Sequence, residues 1–356
     1  MRFFRLILML AATGALEAGS PRLAEQIRSE HHHAMQRWAT QLRVAASPEE
    51  QLRVWEQRPD ANEFGARMWT ELRESLREEW ILPYASWLLE TAPHFASQKR
   101  EAVSKRTVEE EIRRALDVVH FAKPGAGRLC LSLTALPNSR SLKVVTKVQE
   151  KNPVEVEQGQ AAMARALLLR HLGDDPQVMR ERLTHLRTAI IKAADAEVGD
   201  VTVAKLAGDE LYAIKNLAKG RVAPDVAGRD VAGTALKLSD YRGKVVVLVF
   251  WSANMPDAAR AVDILKKLRT NSADKEVALL GVTTDNEQVL RQLKANGTIP
   301  WRNFADADGT ITKQFRVRNR PLVYVLDREG VIQFIGSPGS FVDLAVEALV
   351  AEKPGG

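Results

Sequence analysis

The sequence predicts two parts of different class. An all-α region of antiparallel helix pairs runs from about residue 19 to 220, and an α/β domain with a mixed central sheet and helices on both faces follows over 221–352. Three observations carry this reading. Apolar residues between 21 and 219 recur at helical spacing, with prolines and glycines dividing the stretch. After Gly220 the period changes, and residues 244–250, 277–283 and 322–326 are short β-branched apolar runs of the kind buried on both sheet faces. Helical patterns alternate with those runs, as a layered α/β sheet requires.

Within the first part, Ser47-Pro48-Glu49-Glu50 supplies an N-cap, a first-turn proline and an acid at the third helical position. Phe64, Met68, Leu72 and Leu76 recur every fourth residue and predict one apolar helix face. Thr107 followed by three glutamates opens another helix, its acids placed where the helix dipole favours them. Asn152-Pro153 starts a helix that stops by Gly173, and Pro176 begins the next, carrying Met179, Leu183, Leu186 and Ile190. Gly220 ends the last helix near Leu217. Short connections suggest helix hairpins able to stack as a tetratricopeptide-like array, but no repeat near 34 residues stands out. In the second part, helices are expected over 256–268, 287–295, 310–315 and 341–349. The turn Asp327-Arg328-Glu329-Gly330 joins 322–326 to 331–335 as a hairpin, which makes the sheet mixed.

Charge excludes one class of function. Of 51 Lys/Arg and 45 Asp/Glu, the region from Arg221 onward holds 19 and 16, so both parts carry the same net +3. An even spread lacks the clustered cations of a nucleic-acid surface, and no nucleic-acid partner is expected. At the start, Arg2 and Arg5 precede an apolar run over 6–15 that is too short to span a bilayer, so residues 1–18 read as a cleavable export signal. The expected location is the periplasm or cell envelope of a bacterium, with no transmembrane segment after cleavage. Cys130 is the one cysteine, so neither an intrachain disulfide nor a Cys-x-x-Cys pair exists, and its apolar surroundings read as core.

Ala223-Pro-Asp-Val226 and LKLSDYRGKVVVLVFW over 236–251 resemble the TlpA/ResA branch of bacterial thiol–disulfide oxidoreductases, within the wider redoxin and AhpC/TSA group. Residues 304–309, 315–318 and 321–330 continue the resemblance in order and spacing, over about 130 residues in all. It implies a thioredoxin-like fold for 221–352. The family places Trp-Cys-Pro-Pro-Cys after the strand that ends Phe-Trp. Here the stretch is WSANMPDAAR over 251–260: Asn254 stands for the second tryptophan, Met255 for the attacking cysteine and Ala258 for the resolving one. Pro256 is retained and Asp257 takes the other intervening place. A thioether cannot ionise to a thiolate, and alanine has no resolving group, so dithiol exchange and peroxidase chemistry both lose their nucleophile. What is left is a helix N-terminus that Asn254 can cap and Asp257 can complement. The resemblance also places Pro321 as the cis proline beside that helix, whose neighbouring backbone pairs with extended peptide. An expected groove therefore comprises Trp251, Asn254, Met255, Pro256, Asp257, Arg320 and Pro321, with an Asp257–Arg320 ion pair within it.

His31, His32 and His33 lie about 100° apart on a helix and cannot converge on one metal ion. Asp306-Ala-Asp-Gly309 lacks the ligands of a calcium loop and reads as a turn capping the helix at Thr310. No metal or cofactor is expected, and there is no phosphate loop or hydrolase elbow. The sequence reads as an exported thioredoxin-like protein without catalytic residues, binding a protein or peptide partner in the cell envelope. The alternative is family-type thiol–disulfide or antioxidant activity through Cys130 or a partner's cysteine, and a third reading is a purely structural role.

Overall fold

The computed structural model describes residues 19–45, 47–173, 175–253, 255, 258–272 and 276–352. The segment read as an export signal, 1–18, lies outside the described residues. The first part is helical: α1 (Pro21–Val44), α2 (Pro48–Glu56), α3 (Ala61–Leu72), α4 (Leu82–Thr91), α5 (Pro93–Gln98), α6 (Val108–Ala115), α7 (Ala126–Ser132), α8 (Ser139–Lys151), α9 (Glu155–Leu169) and α10 (Pro176–Ala193). Contacts divide the chain into two compact units. One is built around Pro59–His171 and includes Thr188–Ala196; the other runs from Glu197 onward and includes Arg37–Arg58 and Leu172–Arg187.

The caps read from sequence form. Ser47 accepts the Glu50 N–H ahead of α2, and Thr107 and Glu110 make a reciprocal capping box on α6. In the helical unit α9 packs along α7 and α8, burying Leu129, Cys130, Val145 and Met163 completely. Glu157, nearly buried on α9, accepts hydrogen bonds from the N–H groups of Gly125 (2.7 Å) and Gly127 (2.6 Å) at the start of α7. A Cβ on Gly127 would meet the Glu157 backbone, so glycine is what lets the two helices approach. Two expectations change. α3 ends at Leu72, so Leu76 lies beyond the helix whose buried face holds Met68 and Leu72. On α10, Leu183 is 41% exposed while Arg182 and His185 are buried. The reason is an ion pair: Arg182 meets Glu210 at 3.2 Å, both side chains being almost wholly enclosed, which turns that face inward.

In the second unit a small hairpin, β1 (Glu197–Val198) with β2 (Val201–Thr202), leads into α11 (Val203–Asn216). A second hairpin follows, β3 (Ala227–Arg229) with β4 (Ala235–Lys237). The main elements are β5 (Val245–Phe250), α12 (Ala258–Asn271), β6 (Val277–Thr283), α13 (Glu287–Ala295), β7 (Arg302–Ala305), α14 (Thr310–Gln314), β8 (Leu322–Leu326), β9 (Ile332–Gly336) and α15 (Ser340–Ala351). They form a five-stranded sheet of order β7-β6-β5-β8-β9. β5, β6 and β7 run parallel, and β8 and β9 are antiparallel to their neighbours, giving the mixed sheet that the alternating pattern and the 327–330 turn predict. This is the thioredoxin-like arrangement.

β5 is buried along its whole length, which is why it reads as an unbroken apolar run. Val245, Val247 and Val249 pack with Val262 and Leu265 of α12, Leu290 of α13 and Val342 and Val346 of α15 on one face. Val246, Leu248 and Phe250 pack on the other with Ile311, Phe315, Leu238 and the end of α11 at Tyr212 and Ala213. The turn at 306–309 caps α14 as expected, Asp306 accepting from the N–H groups of Ile311 and Thr312.

Candidate functional site

β5 ends at Phe250, and the Trp251 N–H carries the ladder one step further by donating to the Val282 carbonyl at 3.1 Å. The register pairs Phe250 with Leu322, so Trp251 and Pro321 leave the sheet from adjacent strand ends. The Arg320–Pro321 bond is cis. The segment leading to α12 thus comes off the sheet beside the proline, where the resemblance implies a groove.

Trp251 does not face solvent. Its side chain is 1% exposed, and its Nε1 donates to Asn303 Oδ1 at 2.8 Å. Asn303, equally buried on β7, donates in turn to the Trp301 carbonyl at 3.2 Å. Gly281 of β6 makes room for this pair, since a Cβ there would fall on the Asn303 side-chain oxygen. Trp251 is therefore a pillar beneath the site rather than an exposed surface of it.

The loop after Trp251 is held by Asp285. One carboxylate oxygen accepts from Ser252 Oγ and the other from the Ala253 N–H, both at 2.6 Å, and Asp285 is 8% exposed. Its own N–H donates to Thr283 Oγ1 at 3.1 Å. Sequence reasoning missed this residue. The available signal was a carboxylate just past the C-terminal end of a parallel strand, where such folds hold their site loops. Met255 continues the turn, its N–H reaching the Ser252 carbonyl at 3.3 Å and its carbonyl accepting from Ala258 at 3.2 Å. Its side chain is 9% exposed and joins the apolar core under α12. Asn254, Pro256 and Asp257 lie outside the described residues, and with them the expected Asp257–Arg320 pair.

Of the arginines before the proline, Arg316 and Arg318 meet an acid on α11. Arg320 donates to Thr312 Oγ1 at 3.3 Å. Arg316, with φ of 51°, meets Asp209 of α11 at 2.9 Å and lies over the Tyr212 ring at 4.4 Å, and Arg318 reaches the same carboxylate at 3.9 Å. α11 thus buttresses the segment that ends in the cis proline, a role its sequence does not announce.

Chemically, the N-terminus of α12 carries a thioether and a methyl group at the positions matched to the family's cysteines, and neither is a nucleophile. The chain's thiol, Cys130, sits wholly buried in α7 of the other unit. Burial, helped by the negative charge of Glu157, pushes that thiol far above the ordinary cysteine range, so it is held as the unreactive protonated form.

Comparison with known proteins agrees with this geometry. Residues 219–335 match the AhpC/TSA family. The thioredoxin-like protein YneN of Bacillus subtilis is 29% identical over 120 residues, covering 33% of this chain and 70% of that protein. The thiol-disulfide oxidoreductase ResA of Bacillus thuringiensis subsp. konkukian is 25% identical over 118 residues, 33% of this chain and 68% of that protein. A chloroplastic peroxiredoxin Q of Oryza sativa subsp. japonica is matched over 58% of its length. Among solved structures, the thioredoxin domain of a thiol-disulfide oxidoreductase from Bacteroides vulgatus is 27% identical, covering 38% of this chain and 99% of that one with a TM-score of 0.35. The C-terminal part of this chain is a thioredoxin-like domain that matches the AhpC/TSA family over residues 219–335 and carries no Cys-x-x-Cys pair.

Proposed function

We propose that this chain is an exported protein whose thioredoxin-like domain does not perform dithiol–disulfide exchange and instead holds an extended polypeptide partner in the cell envelope. In this reading 1–18 is a removable signal, 19–220 a helical domain that docks a partner, and 221–352 the thioredoxin-like module. The observation that carries it is the pairing of Met255 and Ala258 at the start of α12 with a fully buried Cys130, which leaves no accessible thiol in the chain. The groove would be formed by Met255, Arg320 and Pro321 with Asn254, Pro256 and Asp257, over the buried Trp251. Removal of the nucleophile does not remove the means of binding peptide, because backbone pairing beside the proline needs no thiol. No described helix is long and apolar enough to cross a membrane, in keeping with release after cleavage.

The test is insulin reduction with dithiothreitol, comparing the mature protein with Met255→Cys/Ala258→Cys. The expected result is an inert parent and an active double variant, since the helix N-terminus is in place to stabilise a thiolate. Turnover by the parent protein would overturn the reading and return the chemistry to Cys130 or to a partner's cysteine. Export is checked separately, by fusing residues 1–25 to a reporter that is active only after crossing the inner membrane.

A further inference from the structure

A second site for extended polypeptide lies at the opposite end of the sheet. β7 pairs with β6 only from Leu280 to Thr283, so among the described residues Val277, Ala278 and Leu279 have β5 on one side and no strand on the other. The direction of their backbone groups follows from the ladder. The Glu276 carbonyl accepts from Val245 and the Val282 carbonyl from Trp251, which turns the even-numbered residues of β6 toward β5. The odd-numbered ones, Val277 and Leu279, therefore turn outward, and the N–H and C=O of Val277 have no strand to receive them.

β7 stops there for a physical reason. The residue before Trp301 is Pro300, which has no N–H to donate and so cannot extend the pairing along β6. The result is a slot of about 570 Å³ over this open edge, lined by Val277, Leu279, Arg269, Tyr241, Trp301 and Arg302 among others. No acidic residue lines it among the described residues. Its side-chain polar groups are two guanidinium groups and an indole N–H, which only donate, and the hydroxyls of Tyr241, Thr270 and Ser272, which can also accept. Arg269 is exposed at the end of α12 and makes no ion pair among the described residues. Trp301 is 4% exposed, and its buried Nε1 has no hydrogen-bond partner. Arg302 is engaged with Asp230 at 3.0 Å and with Tyr241, and closes one side.

We propose that this slot binds an extended acidic peptide segment of a partner protein, which adds as a short strand to Val277–Leu279 and places a carboxylate against Arg269. Three residues of edge span about 10 Å, enough for one turn of backbone pairing with flanking side chains. Main-chain hydrogen bonds supply the register, and the exposed Arg269, without an ion pair among the described residues, supplies the sign of the partner's charge. The site is separate from the groove beside Pro321 and does not depend on how that groove functions.

The probes are fluorescein-labelled acetyl-Val-Glu-Val-Glu-Val-amide and its lysine counterpart, acetyl-Val-Lys-Val-Lys-Val-amide, titrated by anisotropy into the full mature chain. Saturable binding of the glutamate peptide, with at least tenfold weaker binding of the lysine peptide, is expected. Arg269→Glu should weaken the glutamate peptide at least tenfold. Val277→Pro removes one outward N–H while leaving the bonds to β5 intact, and should abolish binding. Its fold is checked by circular dichroism. Hydrogen exchange on the unmodified protein gives an independent readout, the amides of Val277 and Leu279 slowing on addition of peptide. Failure to bind, equal binding of the two peptides, or no change in exchange at those two amides would each overturn the proposal.

Discussion

Replacing Gly281 by alanine tests whether Trp251 is held as a pillar. The new methyl would fall on Asn303 Oδ1 and lie 2.9 Å from Trp251 Nε1, so the hydrogen bond between them cannot survive in place. Both partners are 1% exposed, and a displaced indole N–H finds no water. Leaving that donor unsatisfied costs about 1–3 kcal/mol. Forcing a methyl into a packed interior adds about 1–3 kcal/mol. Together the variant should lose roughly 2–6 kcal/mol, a fall in midpoint of about 6–18 °C for a domain of this size. Native-state hydrogen exchange at the β5 amides reads the loss for this domain alone, free of the helical unit. Asn303→Ala made on top of Gly281→Ala removes the clash, so the two changes should be less than additive by about 1 kcal/mol or more. A loss below about 0.5 kcal/mol, or strict additivity of the pair, would refute the reasoning.

Other outcomes follow from the same geometry. Asp285→Ala removes the acceptor for Ser252 and Ala253 and should cost about 2–4 kcal/mol, read by the same exchange measurement, with the largest effect in the 251–255 segment. Asp230 is held below the ordinary Asp range: burial opposes its charge, but the Thr234 N–H, the Arg302 guanidinium and the Ala232 N–H outweigh that cost. A depressed carboxyl stabilises the fold fully above the unfolded value of about 3.9, and that stability is lost as pH falls through the folded value. Asp230→Asn should therefore flatten the stability–pH curve below about pH 4 in urea titrations, while lowering stability at pH 7. Cys130 should resist Ellman's reagent in the native protein and react fully in denaturant; prompt native reaction would contradict its burial in α7. Asp209→Ala leaves Arg316 and Arg318 without their carboxylate and should cost about 1–2 kcal/mol, since the arginines are partly exposed.

The legible parts of the fold were those where one segment's own pattern decides its structure. β6 spans Val277–Thr283 and β8 spans Leu322–Leu326, the same residues as the apolar runs, because both lie inside the sheet. The caps at Ser47 and Thr107 are local hydrogen bonds and were equally readable. β7 was not: Arg302–Ala305 has no apolar run, and it is a strand only because β6 offers it a parallel edge. α10 misled for the same kind of reason, since a buried Arg182 is intelligible only once Glu210 is beside it. At the candidate site, the loss of Met255 and Ala258 as nucleophiles could be read directly, because it depends on residue type alone. The supports could not. Asp285 acts on Ser252 across 33 residues, and Asn303 on Trp251 across 52, so only the folded sheet brings them together. Those supports are intact although the cysteines are absent. Both supports stabilise the folded domain whatever the groove does, since losing either leaves buried polar groups without partners. A peptide-binding measurement, and not their presence, decides between a groove in use and a structural role.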